Sequence, residues 1–177
     1  MDVAITGSSG LIGTALITHL KAAGHTPVPV TRDGSAGIGW KPSEGRIDAG
    51  AFEGIDAVVH LAGAGIGDKR WSDERKKLIY DSRIDGTRLL AGTLAGLQNP
   101  PKVLLSGSAI GFYGDRADER LDESSAPGEG FLTDVVVDWE RETKPAEDAG
   151  IRVAHLRTGI VLSPKGGALQ KLLPIFK

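Results

Sequence analysis

The chain of 177 residues carries 21 Lys and Arg against 23 Asp and Glu, a formal net charge of -2, which excludes the uniformly basic surface of a dedicated nucleic-acid-binding protein. It has no cysteine, which excludes disulfides, thiolate nucleophiles and Cys-ligated metal centres, and we predict no metal site. No apolar run reaches the roughly 18 residues of a membrane span and no signal peptide is evident, so we expect a cytoplasmic protein that does not bind membranes.

Short apolar runs separated by amphipathic segments predict a single globular domain over residues 1–177. Buried parallel strands are predicted at residues 3–6, 28–32, 56–61, 102–106 and 152–156, with a further short strand near 38–40. Helices are predicted from residue 11 to a stop at 23–25, at 72–97 and at 131–148, and no full helix is predicted between 32 and 52. This alternation predicts an α/β fold with a doubly wound parallel sheet, the Rossmann architecture.

A glycine-rich turn links the first strand to the first helix. Gly7 permits a tight turn out of the strand, Gly10 lets the backbone approach a pyrophosphate, and Gly13 lets the helix pack closely on the sheet. A structural turn alone could demand the same glycines, but the position between a buried strand and an amphipathic helix favours a dinucleotide site. The predicted phosphate-binding residues are Gly7, Ser9, Gly10, Leu11, Ile12 and Gly13.

The end of the second strand indicates which dinucleotide binds. Thr31 and Arg32 lie there, and Arg32 follows Gly13 by nineteen residues. In this fold the position holds either an acid that accepts from the ribose hydroxyls or an arginine that pairs with a 2′-phosphate. Arg32 therefore favours NADP(H), while the adjacent Asp33 leaves NAD(H) as the alternative.

Charge is unevenly distributed along the second half of the chain. Residues 115–148 carry 12 acidic and 4 basic side chains. A solvated acidic loop and helix would explain this composition, and such a surface disfavours a phosphate group lying directly on it.

Several segments together resemble the epimerase family of the extended short-chain dehydrogenase/reductase superfamily, whose members include sugar-nucleotide epimerases. The resemblance spans the whole chain and rests on the glycine turn and on the following segments: His60-Leu61-Ala62-Gly63, Lys69-Arg70-Trp71-Ser72, Asp81-Ser82-Arg83, Ser106-Gly107-Ser108-Ala109, Phe112-Tyr113-Gly114, Trp139-Glu140 and Arg157-Thr158-Gly159-Ile160-Val161.

The resemblance implies further cofactor contacts at three places. Leu61, Ala62 and Gly63 would pass the adenosine and pyrophosphate side of the cofactor, and Arg157 would line the nicotinamide. Arg83 would reach a cofactor phosphate or ribose, or would instead pair with Asp81 or a neighbouring acid.

The chain departs from the family at the proton-transfer residues. Active relatives use a Tyr-x-x-x-Lys pair, and counting back from Glu140 places Leu132 and Val136 at those two positions. Ser108 and Tyr113 remain as the candidate catalytic residues.

The sequence is compatible with two functions. The first is an NADP(H)-binding epimerase or oxidoreductase that acts on a nucleotide sugar or another small carbonyl compound, and the second is a catalytically silent dinucleotide-binding module that senses or regulates. Relatives continue past the segment resembling residues 167–176 into a region that supplies most of the substrate pocket, so the resemblance implies the cofactor-binding portion alone. By analogy with relatives, the helices at 72–97 and 131–148 would form a homodimer.

Overall fold

A computed structural model describes residues 1–176 and shows seven strands and five α-helices within that range. The strands are β1 (Asp2–Thr6), β2 (Thr26–Thr31), β3 (Ile38–Lys41), β4 (Arg46–Ile47), β5 (Ala57–His60), β6 (Val103–Ala109) and β7 (Arg152–Thr158). The helices are α1 (Leu11–Ala22), α2 (Asp73–Ala95), α3 (Phe131–Arg141), α4 (Lys144–Asp148) and α5 (Gly167–Leu172).

The strands form one sheet in the order β4-β3-β2-β1-β5-β6-β7. All neighbouring pairs are parallel except β3 and β4, which are antiparallel. The chain leaves central β1 toward β2 and β3, and later returns to build β5, β6 and β7 on the other side. The predicted doubly wound α/β fold is confirmed, and its ligand crevice lies where the strand order reverses, at the carboxyl ends of the strands.

Both faces of the sheet are covered by helices, as a parallel sheet requires. The larger core lies on the face that packs against α2 and α4, and it buries Phe52, Leu90, Leu94 and Leu104 almost completely. A smaller core of Val3, Ile5 and Val59 lies on the opposite face, where side chains of α1 pack on it. The strands β1, β5 and β6 place side chains in both cores, so the centre of the carboxyl edge is anchored on both faces.

The predicted helix at 131–148 is wrong in its continuity. The structure divides it into α3 and α4, with a break at Glu142 and Thr143. Pro145 lies in the first turn of α4, where its missing N–H removes no hydrogen bond within the helix. In a continuous helix the same proline would remove the bond to the Arg141 carbonyl and clash with it. The antiparallel strand β4 was not predicted, because two residues are too short to give a periodic signal.

Candidate functional site

The glycine turn, Gly7–Gly13, connects β1 to α1 at the crevice. Gly7 has a φ of +65°, and a Cβ there would lie 2.8 Å from the backbone carbonyl of Leu61. The sequence predicted that Gly13 lets α1 pack closely on the sheet. In the structure a Cβ on Gly13 would instead overlap the Gly7 carbonyl oxygen, so the close approach is to the glycine turn itself. The fold therefore requires a glycine at both positions.

Gly10 differs from the other two glycines. Its φ and ψ of -76° and 173° are available to any residue, and a Cβ would meet one atom within 4 Å, the Gly7 oxygen at 3.2 Å. The fold therefore tolerates other residues at Gly10, whereas a ligand that approaches the backbone there would clash with a larger side chain. Gly10 is also the N-cap of α1, and no described side chain caps that helix. The first N–H groups of α1, from Leu11 and Ile12, are therefore available to an anion beside Ser9.

The segment after β5 lies directly against the glycine turn. The Thr6 hydroxyl accepts hydrogen bonds from the N–H groups of Leu61 (3.1 Å) and Ala62 (3.2 Å). The same hydroxyl lies 2.7 Å from His60 Nδ1, so it donates its proton to that nitrogen. Leu61 and Ala62 are thereby held at the crevice, with Gly63 next in the chain.

His60 is completely buried beneath this segment. Because Nδ1 accepts from Thr6, the ring proton is assigned to Nε2, which donates to the Thr87 hydroxyl at 3.0 Å. Burial, with a smaller contribution from the nearby Arg83 charge, lowers the pKa of His60 to about 4. His60 is therefore a neutral core residue that links β5 to α2 and β1.

The end of β2 presents an exposed arginine beside the crevice. Asp33 is engaged in its own turn, because its Oδ1 accepts from the Ser35 N–H (3.2 Å) and the Thr31 hydroxyl (3.0 Å), and these bonds lower its pKa. Arg32 is exposed, and no residue between 1 and 176 pairs with its guanidinium. The cation is thus free to meet an anion, whereas the neighbouring carboxylate is already hydrogen-bonded.

Arg83 extends from α2 to the loop after β5. Its Nη1 donates to the carbonyls of Ala64 and Ile79, both at 3.0 Å, and its guanidinium lies 5.1 Å from the ring centre of Trp139. The alternative that Arg83 pairs with Asp81 or a neighbouring acid is wrong, because its guanidinium bonds to backbone carbonyls and Asp81 pairs with Lys77 at 2.6 Å. Burial, followed by repulsion from Arg75, lowers the pKa of Arg83. An unpaired cation at the crevice suits the predicted cofactor contact, which stays a prediction.

A second group of polar residues lies at the carboxyl ends of β6 and β7, and we call it the Arg157 cluster: Ser108, Tyr113, Glu140 and Arg157. Arg157 makes two parallel bonds to the Glu140 carboxylate, from Nε and Nη2, each 2.9 Å long. Ser108 donates to the same carboxylate at 2.5 Å, and Arg157 Nη1 donates to the Tyr113 hydroxyl at 3.0 Å. Glu140 therefore joins Ser108 to Arg157, and Arg157 in turn joins Tyr113, so three residues that the sequence singled out separately lie in one cluster.

The electrostatics of the Arg157 cluster favour its ionised form. Burial raises the pKa of Glu140, but hydrogen bonds from Arg157 and Ser108 outweigh it and hold the pKa below the usual range. The bond to Glu140 raises the pKa of Arg157, so both partners stay charged at neutral pH. The Arg157 guanidinium also lies 3.5 Å from the ring centre of Phe112.

A cleft of about 640 Å³ opens beside the Arg157 cluster. Its lining residues are Tyr113, Glu123, His155, Leu156, Arg157 and Thr158. Ser108 is only 6% exposed and lies behind Glu140, outside the cleft lining. At the positions of the missing Tyr-x-x-x-Lys pair, Val136 is buried and Leu132 is half-buried, so neither offers a proton there.

Sequence reasoning missed the role of Glu140, which it used only as a landmark, and it missed His155 altogether. His155 Nε2 lies 3.0 Å from the Thr143 hydroxyl, and its Nδ1 lies 4.0 Å from the Glu140 carboxylate. Glu140 and Arg157 are on a helix and a strand separated by a loop and α4, so no periodicity in the sequence signals their pairing. Among residues 1–176, no group of three His, Asp or Glu side chains could hold a metal ion, and no helix is long and apolar enough to cross a membrane.

A parallel sheet with a glycine turn at its switch point, an uncapped helix N-terminus and a free cation at the next strand defines a dinucleotide-binding domain of Rossmann type. Residues 3–175 match the NAD dependent epimerase/dehydratase family. The chain belongs to that family.

Relatives of known sequence and structure agree with this assignment. An epimerase family protein of Mycobacterium bovis is 44% identical over 177 residues, which cover 98% of this chain and 58% of the relative. The human epimerase family protein SDR39U1, solved with NADPH, has a TM-score of 0.88 and 32% identity, with 99% of this chain and 59% of that one covered. A nucleoside-diphosphate sugar epimerase from Corynebacterium glutamicum has a TM-score of 0.87 and 41% identity, with 99% of this chain and 37% of that one covered. The chain thus spans little more than half the length of its curated relatives.

Proposed function

We propose that this chain binds NADP(H) and serves hydride transfer on a nucleotide sugar or another small carbonyl or hydroxyl compound. The observation that carries the proposal is the exposed, unpaired Arg32 guanidinium at the end of β2, beside a turn that leaves space over Gly10. Arginine suits a 2′-phosphate because its planar donors match phosphate oxygens. Two relatives support the proposal, since one was solved with NADPH and another is named a nucleoside-diphosphate sugar epimerase.

In this proposal the pyrophosphate lies at the glycine turn, and the adenosine end lies toward β2 and Arg32. When bound, the nicotinamide supplies or accepts a hydride. The chain itself supplies the phosphate-binding N–H groups, the Arg32 cation, and the backbone of Leu61 and Ala62 that Thr6 holds in place.

A second candidate function is a dinucleotide-binding module without catalysis. The observation that favours it is the apolar pair Leu132 and Val136 on α3, since neither side chain can exchange a proton and Val136 is 4% exposed. A silent module would bind NADPH but would not oxidise it in the presence of any carbonyl compound. Steady-state absorbance of NADPH with a panel of carbonyl compounds distinguishes the two functions.

Replacing Arg32 by alanine should weaken NADPH binding by about 10–150-fold and change NADH binding little, because a hydrogen bond to a charged group contributes roughly 1.5–3 kcal/mol. Calorimetric titration with each nucleotide gives the ratio of the two dissociation constants. The matched control is Arg152→Ala, which removes the same charge from the exposed start of β7, at the opposite end of the sheet.

Arg152→Ala should leave both dissociation constants unchanged. If Arg32→Ala weakens NADPH and NADH equally, Arg32 does not select the 2′-phosphate, and the NADP(H) assignment fails in favour of NAD(H).

A further inference from the structure

The cleft beside the Arg157 cluster has the position expected of a substrate site. It lies at the carboxyl ends of β6 and β7, on the side of β1 opposite to Arg32. Ligands of doubly wound sheets bind along this edge. A dinucleotide whose adenosine end lies toward Arg32 therefore directs its other end toward the cleft, and in this respect the inference rests on the proposed function.

The phenol of Tyr113 is arranged to give a proton to the cleft. Its oxygen accepts from Arg157 Nη1 at 3.0 Å, so the lone pair facing the guanidinium is occupied. Among the residues that the structure describes, none accepts the hydroxyl proton of Tyr113, which lines the cleft. The hydroxyl proton of Tyr113 is therefore available for donation to a ligand in the cleft.

Arg157 is fixed where it can stabilise the oxygen after the proton leaves. Two bonds to Glu140 and a face contact with Phe112 prevent the guanidinium from turning away. Ser108 donates to Glu140, so its proton is committed to the carboxylate rather than to the cleft. Ser108, Glu140 and Arg157 are therefore positioning residues, whereas Tyr113 alone of the four offers a free proton.

The charge around the cleft limits what can bind there. Among the residues that line the cleft, Glu123 is the one acid, and it is exposed at the rim. The positive charge of Arg157 is already balanced by Glu140. A phosphate group in the cleft would meet net negative charge, whereas an uncharged carbonyl or hydroxyl group meets a hydrogen-bond donor.

We infer that the cleft binds the uncharged carbonyl or hydroxyl end of the substrate and that Tyr113, positioned by Arg157, is its general acid and base. In the reducing direction, the hydride comes from the bound nicotinamide and forms a C–H bond at the carbonyl carbon. The C=O π electrons move to the oxygen, which takes the proton of Tyr113. The phenolate that remains is hydrogen-bonded to the Arg157 guanidinium and regains a proton from water. Oxidation of an alcohol follows the same steps in reverse.

The test compares Tyr113→Phe with Tyr80→Phe, the same chemical change at the only other tyrosine of the chain. Tyr80 donates to Asp138 on α3 at 2.7 Å and is absent from the cleft lining. NADPH oxidation is followed with uncharged aldehydes and hydroxyketones, including dihydroxyacetone and its phosphate ester. Tyr113→Phe should lower kcat by about 10²–10⁴-fold with little change in KM, because a positioned general acid contributes that much. Tyr80→Phe should match the wild-type protein, and the phosphate ester should be the poorer substrate.

A second readout does not depend on turnover. The ¹⁵N NMR signal of the Arg157 Nε–H group, identified by its loss in Arg157→Lys, should shift when dihydroxyacetone is added to the wild-type protein, and shift less with the phosphate ester. Its position in Tyr113→Phe without ligand shows whether the bond to Glu140 is intact.

The outcomes separate the two proposals. Full activity in Tyr113→Phe would overturn the role of Tyr113 alone. No NADPH oxidation by a wild-type protein that binds NADPH would overturn both the role of Tyr113 and the proposed hydride transfer, in favour of the silent module, while leaving the cofactor site standing. A wild-type protein that fails to bind NADPH at all in calorimetric titration would overturn the proposed function instead. An unshifted Arg157 signal would remove the cleft as the substrate site.

Discussion

Gly10→Val is expected to reduce NADPH affinity by at least about 100-fold, or ~2.7 kcal/mol, in a protein that still folds. The backbone at Gly10 is in the extended region open to valine, and a Cβ would meet only the Gly7 oxygen at 3.2 Å. The rest of the side chain would fill the space over the turn where a pyrophosphate must approach the backbone. Calorimetric titration with NADPH measures the loss, and circular dichroism with thermal unfolding shows whether the fold is kept.

Two other glycines provide the comparisons for this experiment. Gly92 lies in α2 with open space around a Cβ, so Gly92→Val should bind NADPH as the wild-type protein does. Gly13→Val should lose the fold together with binding, because its Cβ would overlap the Gly7 carbonyl. A Gly10→Val protein that binds NADPH normally would show that the glycine turn is structural and that the nucleotide lies elsewhere.

The free energy of unfolding should rise by about 3 kcal/mol between pH 4 and pH 6.5 because of His60 alone. The pKa of His60 is about 4 in the folded protein and 6.5 in an unfolded chain. Within this window the unfolded chain binds a proton that buried His60 does not, so lowering the pH favours unfolding. The contribution is complete above pH 6.5 and is lost as the pH falls toward 4. Urea denaturation at a series of pH values measures the slope.

His60→Gln isolates this contribution, because glutamine can hydrogen-bond to the hydroxyls of Thr6 and Thr87 without titrating. The variant should have a flatter dependence of unfolding free energy on pH between 4 and 6.5. His19→Gln, on the exposed side of α1, should retain the wild-type slope. If His60→Gln keeps the full wild-type slope, another group carries the pH dependence and the His60 pKa is not depressed.

The same His60 network connects stability to the cofactor site. Thr6 bonds His60 on one side and the N–H groups of Leu61 and Ala62 on the other. The buried imidazole therefore supports the backbone that lies against Gly7. This role explains why β5 ends in a histidine that is buried and does not face the crevice.

The sequence by itself predicted the main parallel strands, their alternation with helices along the chain and the glycine turn. Each of these depends on neighbours along the chain: a run of β-branched residues makes a buried strand, and a glycine at a positive φ makes the turn at Gly7. The right-handed crossover between parallel strands then leaves few topologies to choose from. The position of Arg32 follows from the same local count, since it directly follows the strand after the first helix.

Only the tertiary structure decided which side chains meet at the crevice. Arg157 and Glu140 come together because β7 pairs with β6 while α3 packs over β6, and Tyr113 joins them from the turn after β6. Within residues 1–176 Arg83 meets no acid: its guanidinium donates to the Ala64 and Ile79 carbonyls and lies 5.1 Å from the ring centre of Trp139 on α3. Such contacts depend on how separate elements pack and on which rotamers that packing allows. They cannot be predicted from the spacing of residues within one element.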